Sequence, residues 1–215
     1  MKRIAKLYLT LITAPLIVIL IVRLIMTPAF VYFEYNRDGF PDDEYGMTTA
    51  ERIEYAPYAL RYLLNGEDID YLGNLSFPDN RELFTLRELR HMRDVKLVTQ
   101  VAFAGAILAG IIALGAIFIL RRDLLQLAAG LRHGAILTVG LLITIALLSI
   151  FSWDFFFTGF HQLFFEGGTW QFYYSDTLIR LFPEQFWFDA ALTIGGLTIL
   201  SAITLYFITN RVKSP

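Results

Sequence analysis

Residues 95–120 read VKLVTQVAFAGAILAGIIALGAIFIL. Beyond Lys96 the run carries no charged side chain, and it exceeds the ~20 apolar residues that a helix needs to cross a hydrocarbon core. It is apolar on every side, so a one-faced surface helix does not account for it. It reads as a transmembrane helix. Three further runs of the same kind lie at about 7–26, 131–153 and 186–208. Composition agrees: 56% of residues are hydrophobic and the mean hydropathy is +0.53, against roughly 45–50% apolar in soluble domains. The expected fold is an all-α integral membrane protein, one membrane domain over residues 1–215. It has four transmembrane helices and a small extracytoplasmic head.

The basic residues give the direction. Lys2, Arg3 and Lys6 precede the first run, Arg121, Arg122 and Arg132 fall between the second and third, and Arg211 and Lys213 follow the fourth. Lys and Arg in short loops mark the cytoplasmic side. Both termini are therefore expected in the cytoplasm, with outer loops over 27–94 and 154–185. The first run reads as a retained span. Thr27-Pro28-Ala29 is a poor processing site, and the apolar stretch is long for a cleaved leader. Arg23 near its end can reach the headgroups.

Glycines are spread along the spans at 105, 110, 115, 134, 140, 195 and 196. Small residues let helices approach closely in lipid, so these are expected at helix contacts. In the first outer loop, residues 51–64 read as an amphipathic helix stopped by Asn65-Gly66. Asp79-Asn80-Arg81-Glu82 has capping-box spacing and is expected to start a helix that continues into the second span. The loop has too few apolar residues for a core of its own. It is expected to lean on the membrane or on the second outer loop.

That second loop is crowded with phenylalanine, including Phe157, Phe160, Phe164 and Phe165. Phe lacks the polar tip that holds Trp and Tyr at the headgroups. The cluster is either an interfacial anchor or a lipid-binding surface beside a reactive site.

The chain has no cysteine, which excludes thiol nucleophiles, thiolate metal sites and disulfides. No serine stands in a nucleophile-elbow pattern. Three histidines remain. His133 follows Arg132 at the inner end of the third run and reads as an interfacial polar residue. His91 precedes the second span, with Glu88 and Asp94 on the same helical face. Either carboxylate can orient an imidazole, though the segment also reads as a solvated charged helix end. His161 stands among aromatics at the outer interface, where a titratable group is costly to bury and is a functional candidate by default. Two imidazoles on one side of the membrane suit acid–base chemistry on an amphiphile. They equally suit axial ligation of a haem in a redox protein, or are incidental in a non-catalytic structural membrane protein.

The motif Glu88-Leu89-x-His91-x-x-Asp94-Val95-Lys96, paired with Phe160-His161-x-x-Phe164-Phe165-x-x-Gly168-x-Trp170-x-Phe172, resembles the bacterial lipoprotein intramolecular transacylases (Lit). The later stretch from Ser175 to Glu184 is also similar to that family. The resemblance implies a multi-pass acyltransferase of the bacterial plasma membrane, working at its outer face. Its partners would be diacylglyceryl-modified lipoproteins and membrane lipid, with no nucleic acid, cofactor or metal. It would move the sn-2 acyl chain of the diacylglyceryl-cysteine to that cysteine's α-amine, leaving a lyso-form lipoprotein. His91 and His161 match the paired catalytic histidines. His161 is taken as general base and His91 as partner acid, with the reverse assignment open. Trp170 and Arg180 are candidate oxyanion or headgroup donors, and the Phe cluster would receive acyl chains.

Overall fold

A computed structural model of the chain describes residues 1–165 and 167–212, with backbone alone at 150, 151, 153–157 and 160. The regular structure of the described residues is helical apart from one isolated bridge between Ser76 and Glu82. The elements are α1 (Lys2–Ile25), α2 (Pro28–Tyr35), α3 (Thr49–Leu64), α4 (Asp70–Gly73), α5 (Leu86–Leu120), α6 (Leu124–Phe151), α7 (Trp153–Phe164), α8 (Thr177–Leu181) and α9 (Glu184–Asn210). Of these, α1, α5, α6 and α9 are long and apolar enough to cross a membrane, and no more than 22% of the most apolar part of each is buried within the protein. Their Leu and Ile side chains point outward instead. In water that would be untenable, and in lipid it costs nothing.

By contact the chain forms two units, one of residues 1–23, 102–157 and 192–215, the other of residues 24–101 and 158–191. In the first, α1 packs on the second half of α5 through Ala5, Leu9, Ala113, Ala116 and Leu120. Tyr8 donates to the Ala109 carbonyl at 2.8 Å. Helix α6 starts ahead of the expected residue 131, because Asp123 caps it by accepting from the Gln126 amide.

The expected role of the glycines is corrected here. A Cβ at Gly105, Gly110, Gly115, Gly140, Gly195 or Gly196 would meet nothing within 4 Å. Those positions carry glycine without a close helix contact. Only Gly134 of the set sits tight: a Cβ there would fall 2.6 Å from Thr13 of α1. Gly130, one turn earlier, faces the Lys6 carbonyl at 3.1 Å in the same way.

The second unit has a true core. Helix α3 runs as expected and begins with a full capping box between Thr48 and Glu51. Tyr55, Ala56, Ala59, Tyr62 and Leu63 line its buried face. Val31 and Tyr35 of α2, Leu72 and Leu83 join them, and Leu178, Leu181, Phe182 and Phe186 complete the core. The segment before α5 thus packs on the segment between α7 and α9, one of the two supports expected for it. Each large side chain removed from water contributes roughly 1.5–3 kcal/mol. The Tyr35 hydroxyl also donates to the Leu181 carbonyl. Arg37 bridges Glu34 of α2 and Asp189 of α9.

The expected helix start at Asp79 is a turn instead. Asn80 takes a left-handed conformation (φ 65°) and the Asp79 side chain accepts from the Arg81 amide. Both favour a tight reversal over a helix. The helix begins at Leu86 behind a different box: Glu88 accepts from the amide and hydroxyl of Thr85, and the Glu88 amide donates back to that hydroxyl.

Candidate active site

Helix α5 carries its charged residues, Arg87, Glu88, Arg90, Arg93, Asp94 and Lys96, in its first turns, and none from Leu97 to Leu120. At 1.5 Å per residue its 35 residues extend ~50 Å, well beyond a ~30 Å hydrocarbon core. The spanning part is the uncharged one, and His91 stands on the extension before it.

Among the described residues, five rings gather at that extension. The His91 imidazole lies 5.1 Å from the Phe165 ring and 5.2 Å, edge-on, from Phe172. The His161 imidazole, from α7, lies 5.9 Å from the same Phe165 ring and 4.6 Å from the Trp170 indole. Phe165 therefore touches both imidazoles. Their separation cannot exceed those two ring distances laid end to end. Gly168 makes the arrangement possible: at φ +85° it turns the chain after α7 so that Trp170 returns to His161, a conformation that is costly for any side chain with a Cβ.

Burial, and secondarily the charge of His161, push the His91 pKa down to about 4. Its Nδ1 is buried and has no hydrogen-bond partner among the described residues. A buried polar atom of this kind ordinarily has a partner. One left open, on a group whose proton affinity is strongly perturbed, makes His91 a candidate functional position.

The other expected residues are placed as follows. Glu88 is fully buried, but no hydrogen bond joins it to His91. One carboxylate oxygen takes the Thr85 amide and hydroxyl, and the other takes the Leu178 amide at 2.7 Å. It anchors the helix that bears His91. Asp94 makes no hydrogen bond or ion pair among the described residues. Arg180 is engaged by other partners. Its guanidinium is held by Asp43 at 3.0 Å and by the Tyr45 carbonyl, beside the buried Arg52, which donates to the Arg180 and Pro41 carbonyls. Phe164 is exposed and lies 6.4 Å from Phe165. Phe157 and Phe160 lie outside the residues whose side chains are described. His133 belongs to the first unit.

Arg87 was not singled out by sequence, and Phe172 and Asp176 stood in the quoted motifs without a role. Arg87 pairs with Asp176 and lies over the rings of Phe172 and Tyr173. One signal existed: Arg87 and His91 are four apart and share a helix face.

Residues 6–187 match the family described as lipoprotein intramolecular transacylase Lit. The chain belongs to the Lit family. It is thus an acyltransferase-type enzyme of the membrane. An Aquifex aeolicus protein described only as uncharacterized is 30% identical to it over 185 residues, 86% of this chain and 83% of the relative. In fold the chain is similar to the membrane-integral Lit of Bacillus cereus, with a TM-score of 0.81 at 24% identity over 98% of this chain and 94% of that one. A variant of the Bacillus cereus Lit with one histidine replaced by arginine matches at a TM-score of 0.77 and 23% identity, over 98% and 91% of the two chains. Membership in the Lit family accounts for a helical, multi-pass chain whose aromatic and histidine motifs sit together.

Proposed function

We propose that this chain transfers the sn-2 acyl chain of a diacylglyceryl-modified lipoprotein to the α-amine of the same cysteine, using His91 and His161 as a proton-handling pair. The observation that carries this reading is the shared contact of both imidazoles with Phe165. One substrate headgroup can reach both rings from there. The basic residues flanking the spans support a cytoplasmic location for both termini and an outer-face location for the site.

The chemistry balances without a cofactor. The α-amine has an ordinary pKa of about 7.7–8.0, so its neutral form is accessible near neutral pH. As its nitrogen attacks the sn-2 carbonyl carbon, His161 takes the proton it sheds. As the carbon–oxygen bond breaks, the sn-2 oxygen takes a proton from one ring nitrogen of His91 while the other ring nitrogen receives the proton gathered by His161, so His91 ends neutral. One proton moves from nitrogen to oxygen, and an ester becomes an amide and a free hydroxyl. The burial that disfavours a charged His91, and the cost of charging both rings together, keep the pair to a single added proton. Amine and ester belong to one molecule, so little entropy is lost in aligning them. The Trp170 indole against His161 excludes water from the base. Phe164, Phe165 and their neighbours supply apolar surface for the chains.

The test is mass spectrometry of a diacylglyceryl lipopeptide before and after incubation with the purified enzyme. Wild type is expected to yield the lyso form, with the acyl mass moved to the amine. His91→Ala and His161→Ala are expected to yield none while remaining folded. Near-normal product from both variants would remove the histidine mechanism.

A further inference from the structure

We propose that Arg87, clamped by Asp176, is a positioning residue that holds Phe172 against His91 and so keeps water from that imidazole. The inference rests on the histidine reading above. Arg87 and His91 are one helical turn apart on the same face, and Phe172 lies across from both. Its ring is 5.5 Å from the Arg87 guanidinium carbon and 5.2 Å from the His91 ring. The guanidinium also lies 5.0 Å from the Tyr173 ring. Its other side meets Asp176, whose same carboxylate oxygen accepts the Tyr173 amide at 2.9 Å. Asp176 therefore fixes both the cation and the turn that presents Phe172.

Stability does not explain the pair. The Arg87 side chain is 41% exposed and that of Asp176 12%, and ion pairs this open contribute little to folding. What the pair does have is a planar cation on an aromatic wall of the site. A lysine would keep the charge and lose the stacking plane.

Among the described residues, the charged and titratable groups around His91 are His161 on α7, Arg87, Glu88, Arg90 and Asp94 on its own helix, and Asp176 ahead of α8. Of these, the charge of His161 acts on His91, after burial. Loosening Phe172 would admit water and relieve the larger effect.

The experiment follows His91 by NMR in the full-length, histidine-labelled protein in nanodiscs, assigned with His91→Ala, alongside the pH dependence of kcat on a diacylglyceryl lipopeptide. Arg87→Lys and Asp176→Asn are expected to raise the His91 titration midpoint toward imidazole's ordinary value of about 6.5. The acid limb of kcat is expected to move the same way. Asp176→Glu, which keeps the ion pair, is expected to hold the midpoint near wild type. An unchanged midpoint in folded Arg87→Lys overturns the proposal, and that variant decides alone if Asp176→Asn does not fold. A raised midpoint with an unmoved kcat profile leaves Arg87's role intact and counts against the histidine mechanism instead.

Discussion

Glu88 and Leu178, ninety positions apart, are joined by a single hydrogen bond, in which the buried carboxylate accepts the Leu178 amide at 2.7 Å. The same carboxylate caps α5 through Thr85. One side chain therefore closes the start of two helices, the one that carries His91 and the one that follows the aromatic loop. An amide in its place has a single acceptor oxygen for donors on both sides. Glu88→Gln is expected to lose about 1–3 kcal/mol, the cost of leaving a buried donor unmet. Thermal unfolding in detergent reads the loss, and an unchanged transition would show that the carboxylate is not the anchor.

His91 is held uncharged by burial and by the charge of His161. Removing the second influence alone, by His161→Asn, is expected to raise the His91 midpoint only part of the way from about 4. NMR titration measures it, and a midpoint that falls or stays would contradict the coupling. The sign for stability follows. The folded state resists protonation, so the stability is present above imidazole's ordinary value of about 6.5 and is lost as pH falls toward about 4.

Gly168 tests how the loop is closed. Gly168→Ala puts a Cβ at φ +85°, at a cost of roughly 1–2 kcal/mol. The turn is expected to relax and carry Trp170 away from His161. Turnover of the lipopeptide should drop well beyond what the small stability change explains. Full turnover in the variant would mean that the Trp170 contact does not matter.

In the other unit, Gly134→Val is expected to push α6 from Thr13 and cost about 1–3 kcal/mol by overpacking. Gly140→Ala, with open space around it, should be silent. Unfolding midpoints of the two variants, compared side by side, check the pair. Equal behaviour would mean that the α1–α6 contact is not tight.

The four spans were legible because hydropathy acts locally. A run of uncharged apolar residues as long as 97–120 has few other homes. The two histidines were legible because titratable groups are rare beside greasy sequence. What sequence could not supply was partnership at a distance. Arg180 looked available as a donor, yet Asp43, 137 residues away, occupies it. Glu88 looked like a partner for His91, three residues on, yet its oxygens face Thr85 and Leu178. The false helix start at Asp79 arose because Thr85-x-x-Glu88 carries the same spacing and lies only six residues on. Only the left-handed Asn80 decides between them. Phe172 stood in the quoted motif, but its contact with His91 comes only from the coordinates.

Helix α5 has one more consequence. The same unbroken helix crosses the lipid and bears His91 about 9 Å before the start of its uncharged run at Leu97, six residues at 1.5 Å each. The altitude of that imidazole over the acyl chains is thus set by how the rod settles in its bilayer. A thicker or thinner membrane would tilt or sink it, bringing the ring level with a different depth of an ester that floats in the same lipid. Turnover should then peak at one bilayer thickness across vesicles of graded chain length, and a flat response would show that the rod and its ester rise and fall together.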